Sequence, residues 1–278
     1  MGYFTHDANR RFDRRTAYRL AHIADLSYLR EVVDEPRDVQ EQWVRERLES
    51  LGMTPDPGAI RIFENVSSDT EGMAITFGRD MVLAFRGTEP KEIRDWFSDL
   101  RATHTFHPWG RLHDGFADAY RSALESVLDC IRDLPGGGRI WLTGHSLGGA
   151  LATLWASALS IAGYTRRIGA VYTFGSPRVG DHGFMKRYDE RLLRRTVRFV
   201  NDQDVVARLP PRAMGFQHVG RRVHFDDQGN NQTSDRNGRW WNGFWERLYS
   251  TLDDATHPTE LIGDHSCSNY IELLAPDE

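Results

Sequence analysis

The sequence predicts an α/β protein with a mostly parallel central sheet covered by helices on both faces. Two observations carry that prediction. Apolar strand-like runs alternate with helix-like runs along most of the chain, and at residues 141–159, "WLTGHSLGGALATLWASAL", an apolar strand turns directly into an apolar helix.

The elements follow in order. Residues 14–31 place Ala17, Leu20, Ala21, Ala24 and Tyr28 on one helical face. "GAIRIFENV" and "EGMAITFG" alternate like antiparallel strands, and "RDMVLAFRGT" is a more continuous apolar strand ending at Thr88. "GFADAYRSALESVLDCIRDL" reads as a helix stopped by Pro135 and Gly136 to Gly138. Then come the strand "RIWLTG", the long helix after Ser146, the strand "IGAVYTFGSP", a helix near 181–190 and the strand "RTVRFVND". "GFQHVGRRVHF" is strand-like, and "HSCSNYIELL" is a loop entering a terminal helix. No repeat or linker divides the chain, so one domain is expected over 1–278, with 1–59 a helical extension packed on it.

Composition narrows the function. The chain has 278 residues, 40% hydrophobic and 27% charged, enough for a substantial core. A net charge of −5 argues against nucleic acid or an anionic membrane as partner. No apolar run reaches the length of a membrane span. The N-terminus is too charged for the core of a secretory signal, which leaves a cytoplasmic protein or one whose leader has been removed, the first being favoured. Two cysteines, Cys130 and Cys267, are expected to be packed thiols.

The chemistry centres on Ser146. Gly144-His145-Ser146-Leu147-Gly148 fits G-x-S-x-G, and its placement between strand and helix puts the serine at a strained apex. The helix that follows directs its dipole and free N–H groups toward any oxyanion formed there. A serine nucleophile needs a base and an acid, in this architecture ordered Ser, acid, His. Asp202 and Asp204 both stand at the carboxyl end of the preceding strand, where such sheets hold their reactive groups. Four histidines follow: His218 and His224 in a strand-like run, His257 before a proline, and His265 on the loop into the terminal helix. A base serving both nucleophile and leaving group belongs on such a loop. His104, His107 and His113 have no spacing that supports a metal site.

Taken together, "FRGT", "DWFSDL", "HDGFADAY", "GHSLGGALA", "FGSPRVGD", "NDQDVVARLPP" and "DHSCSNY" resemble the class 3 lipases, in order from about residue 60 to 272. The resemblance implies an α/β-hydrolase fold and a carboxylic ester hydrolase, most simply a lipase acting on acylglycerols. Phospholipase A1, galactolipase and feruloyl esterase are alternatives on the same scaffold, and a catalytically silent binding module is the non-enzyme reading. It implies Ser146 as nucleophile, Asp204 as acid and His265 as base, with an oxyanion hole from the Thr88 and Leu147 N–H groups. It implies neither metal nor cofactor and no partner protein, only a lipid or small ester substrate. Residues 89–100, "EPKEIRDWFSDL", resemble the family's mobile lid, and read equally as a permanently docked surface helix: Ile93, Trp96 and Phe97 fall on one helical face, which in a lid would meet a lipid surface transiently. Residues 237–254 carry a second aromatic helical face, read equally as a pocket cap or a packed insertion.

Overall fold

The structure is a computed structural model and describes residues 2–7, 12–65, 70–87, 103–134, 136–201, 204–226, 228–234 and 265–276. Its framework is an eight-stranded sheet. The strands are β1 (Ile60–Asn65), β2 (Thr70–Phe77), β3 (Asp80–Phe85), β6 (Ile140–His145), β7 (Ile168–Phe174), β9 (Thr196–Asn201), β11 (Arg221–Phe225) and β12 (Asn231–Ser234). They lie side by side in the order β1-β2-β3-β6-β7-β9-β11-β12. Strands β3, β6, β7, β9 and β11 pair in parallel, while β1, β2 and β12 attach antiparallel at the two edges. The central strands are buried on both faces, which is why β6 and β7 read as nearly continuous apolar runs.

Alternate side chains of those strands enter two cores. On one face Leu83, Leu142 and Val171 pack with Leu151 and Trp155 of α5 (Leu147–Ile161), and with Phe184 and Tyr188 of α6 (His182–Leu192). On the other face Val82, Trp141, Tyr172 and Phe199 pack with Leu20 and Ala24 of α1 (Arg14–Leu26). That face also takes Val44 and Leu48 of α2 (Arg37–Ser50) and Tyr270 and Leu274 of α7 (Cys267–Leu274). Asp13 caps α1 by accepting from the Thr16 N–H, and Asp181 caps α6 by accepting from the Phe184 N–H.

Three elements differ from the sequence expectation. The helix expected over 115–134 is two, α3 (Asp114–Ser122) and α4 (Leu124–Arg132), divided at Ala123. The break lets α3 lie against α5 while α4 turns toward β1. The run 215–225 is likewise two strands, parted at Gly220 with φ +69°. Its first part, β10 (Phe216–Gln217), belongs to a small second sheet with β8 (Gly180–Asp181), β5 (Gly110–His113) and β4 (His104–His107). Finally, α1 ends at Leu26, and the chain turns through Leu29 at φ +51°, so Tyr28 leaves the helix. Among the described residues no helix is long and apolar enough to cross a membrane.

Candidate active site

The site lies at the carboxyl ends of β6, β7 and β9. At the end of β6 the chain must reverse into α5 within one residue. Ser146 makes that reversal at φ 56°, ψ −129°, a region that normally only glycine enters and that costs a side-chain-bearing residue about 1–3 kcal/mol. Its N–H donates to the Phe174 carbonyl and its carbonyl accepts from the Gly149 N–H, so both neighbours hold the strained residue in place. A Cβ at Gly144 would strike the Gly148 backbone, and one at Gly148 would strike the Phe85 carbonyl. The flanking glycines are therefore a packing requirement of the turn. Leu147 opens α5, and its N–H has no acceptor one helical turn behind it.

Asp204 and His265 come from segments 61 residues apart and meet beside this turn. His265 Nδ1 lies 3.0 Å from each carboxylate oxygen of Asp204, and both side chains are almost wholly buried. The carboxylate is held on every side. Its Oδ1 accepts from the Val206 and Ala207 N–H groups at 2.9 and 3.3 Å. Its Oδ2 accepts from the Tyr270 hydroxyl, which itself accepts from the Asn201 N–H at 3.0 Å. Burial and the adjacent Asp204 push the Tyr270 hydroxyl well above its usual range, so it remains a donor. A carboxylate only accepts, so the Nδ1 of neutral His265 carries the proton and Nε2 presents its lone pair. That Nε2 is buried and makes no hydrogen bond among the described residues.

Gly175 allows the pair to sit there. It has φ +59°, and a Cβ on it would lie 2.6 Å from Asp204 Oδ2 and 2.8 Å from both His265 Nδ1 and Cε1.

The structure thus brings Ser146, Leu147, Asp204 and His265 to one end of the sheet. Thr88, Ile93, Trp96, Phe97, Asp202, His257 and the segment 237–254 lie outside the described residues. The other histidines are engaged elsewhere. His218, buried beneath the loop after Asp204, donates through Nε2 to the Ala207 carbonyl at 2.7 Å. His224 sits on β11, opposite Val200 and Gln232. His104 stacks on Phe216, and His107 Nδ1 accepts from the Trp109 N–H. Sequence reasoning did not single out Gly175, Tyr270 or His145. Each lies inside a quoted motif, so the only available signal was position, with nothing local to state the role.

The profile of the family described as lipase (class 3) matches residues 82–214. A lipase from Rhizomucor miehei is 34% identical over 191 residues, covering 63% of this chain and 50% of that protein. The chloroplastic phospholipase A(1) DAD1 of Arabidopsis thaliana is 32% identical over 167 residues, covering 52% of this chain and 37% of that protein. The chain therefore spans half the length or less of these curated relatives. Lipase II from Rhizopus niveus superposes with a TM-score of 0.67 over 91% of this chain and 92% of its own, at 23% identity, and shares the α/β-hydrolase fold. The chain is thus similar to the class 3 lipases, the profile spanning 133 of its 278 residues.

Proposed function

We propose that this chain is a serine hydrolase of carboxylic esters and that acylglycerols are its substrates. One observation carries the reading: a serine held at a strained strand-to-helix apex shares the site with a histidine whose other ring nitrogen is fixed by a fully buried carboxylate. Ser146 Oγ attacks the ester carbonyl carbon while His265 Nε2 takes its proton. Asp204 holds the ring and stabilises the imidazolium that results. The Leu147 N–H serves the oxyanion, where one such donor is worth about 3–4 kcal/mol, and the family resemblance assigns the second donor to Thr88. The intermediate collapses with His265 protonating the departing alcohol, and water then cleaves the acyl-enzyme by the same steps.

The phospholipase A1 reading has its own support in the plant relative. We place the protein in the cytoplasm. Cys130 and Cys267 are both buried free thiols, which suits a reducing compartment.

Initial rates on tributyrin, on a phosphatidylcholine and on methyl ferulate separate the readings. Tributyrin turned over at least tenfold faster than the others is the expected result. A phospholipid preference of that size would favour the phospholipase. No turnover of any ester by the folded chain would overturn the assignment.

A further inference from the structure

Tyr28 stands at the turn after α1, outside the segment that matches the family profile, yet its hydroxyl reaches the site. It lies 2.8 Å from Nδ1 of His145, the residue immediately before Ser146. The opposite ring nitrogen of His145, Nε2, bonds the backbone carbonyl of His265 at 2.5 Å. The two imidazole rings lie 4.4 Å apart at 34°.

We propose that Tyr28 and His145 are positioning residues for the base: Tyr28 sets which nitrogen of His145 bears the proton, and His145 thereby pins the main chain of His265 at a fixed distance from Ser146. The proposal rests on the ester hydrolase reading for its consequence, though not for its geometry.

The assignment follows from counting donors and acceptors. A carbonyl only accepts, so His145 Nε2 must carry a proton to bond His265. The ring is neutral, because burial, then His265 and Arg30 nearby, hold its pKa well below the ordinary imidazole value. Nδ1 is therefore a lone pair, and the Tyr28 hydroxyl donates to it. Without that hydroxyl, Nδ1 would be left buried and unpaired, at a cost that favours any ring rotation able to satisfy it. Such a rotation would release the His265 carbonyl. The arrangement leaves little slack. A Cβ at Gly87 would lie 2.5 Å from both the Tyr28 hydroxyl and the His145 carbonyl, and 3.0 Å from Ser146 Cβ. The Arg30 guanidinium lies over the Tyr28 ring, 4.6 Å from its centroid. Because His145 and Ser146 are consecutive, nucleophile and base are both gauged from one short stretch of backbone.

The test is nitrogen NMR of the full chain carrying ¹⁵N-histidine, with His145 assigned by its loss in His145→Gln, read beside the kinetics of Tyr28→Phe. The parent should show His145 protonated at Nε2 and unprotonated at Nδ1. Tyr28→Phe should move the Nδ1 resonance toward that of a free lone pair. Its kcat should fall about tenfold, from displacement of the base, with KM unchanged within about twofold. A purely structural tyrosine would instead lower Tm and leave kcat of the folded enzyme unaltered, which would overturn the proposal. So would a His145 protonated at Nδ1 in the parent, a result that stands whether or not Tyr28→Phe folds. A parent inactive on every ester would remove the hydrolase reading while the tautomer still reported on the geometry.

Discussion

The Ser146 turn and the Asp204–His265 pair are built on opposite principles. Around Ser146 everything is local: strand, apex and helix lie within a few residues, and the position is held by backbone bonds against an unfavourable φ. Around Asp204 and His265 everything is remote. Among the described residues the backbone there carries no comparable strain, and the geometry is set by side chains and amides converging from β7, β9 and α7. A local device stores strain and a convergent one stores contacts, so substitutions at the two should fail differently.

Gly175→Ala attacks the convergent half. The new methyl group must displace Asp204 or His265, in a residue whose φ already disfavours a side chain. We expect kcat to fall about 100-fold, as for a displacement near 1 Å of a catalytic group, together with a lower Tm. Gly163→Ala is the control: its φ is +90° but nothing lies within 4 Å of the added carbon, so it should lose stability without losing kcat. Equal kcat for the two variants in a steady-state assay would show that the pair does not depend on Gly175.

Ser146→Gly probes the local half and should give the smaller effect, in the opposite sense. Relief of φ 56°, less the entropy that glycine adds to the unfolded chain, should leave about 1 kcal/mol of added stability. Calorimetry should register that as a Tm higher by about 2 °C, in an inactive protein. A lower Tm would mean that the apex is not strained.

The same contrast explains what the sequence revealed. Gly144, Ser146 and Gly148 stand within five residues, so the turn is recognisable from that short run alone. The parallel alternation of strand and helix was legible for the same reason. The loop position favours His265 among the four histidines, but the choice between Asp202 and Asp204 rests on family resemblance, because no local rule says which side chains meet across 61 residues. By periodicity Tyr28 belongs to a helical apolar face. Its place in the site depends on α1 ending at Leu26, which the periodicity does not show. The division of the helix at Ala123 was equally hidden: alanine favours helix, and the break serves packing on α5 and β1.

The central claim of the proposal is that Ser146 is a nucleophile activated by His265, whose ring Asp204 orients. Labelling with a fluorophosphonate, followed by mass spectrometry of the adduct, tests it most directly. The account predicts a single covalent adduct on Ser146 in the parent and in Asp202→Asn. Labelling should be slower by a factor on the order of 1,000 in His265→Ala and Asp204→Asn, each checked for an unchanged fold by circular dichroism. An adduct on another residue, or parent-like labelling of Asp204→Asn beside a silent Asp202→Asn, would contradict it.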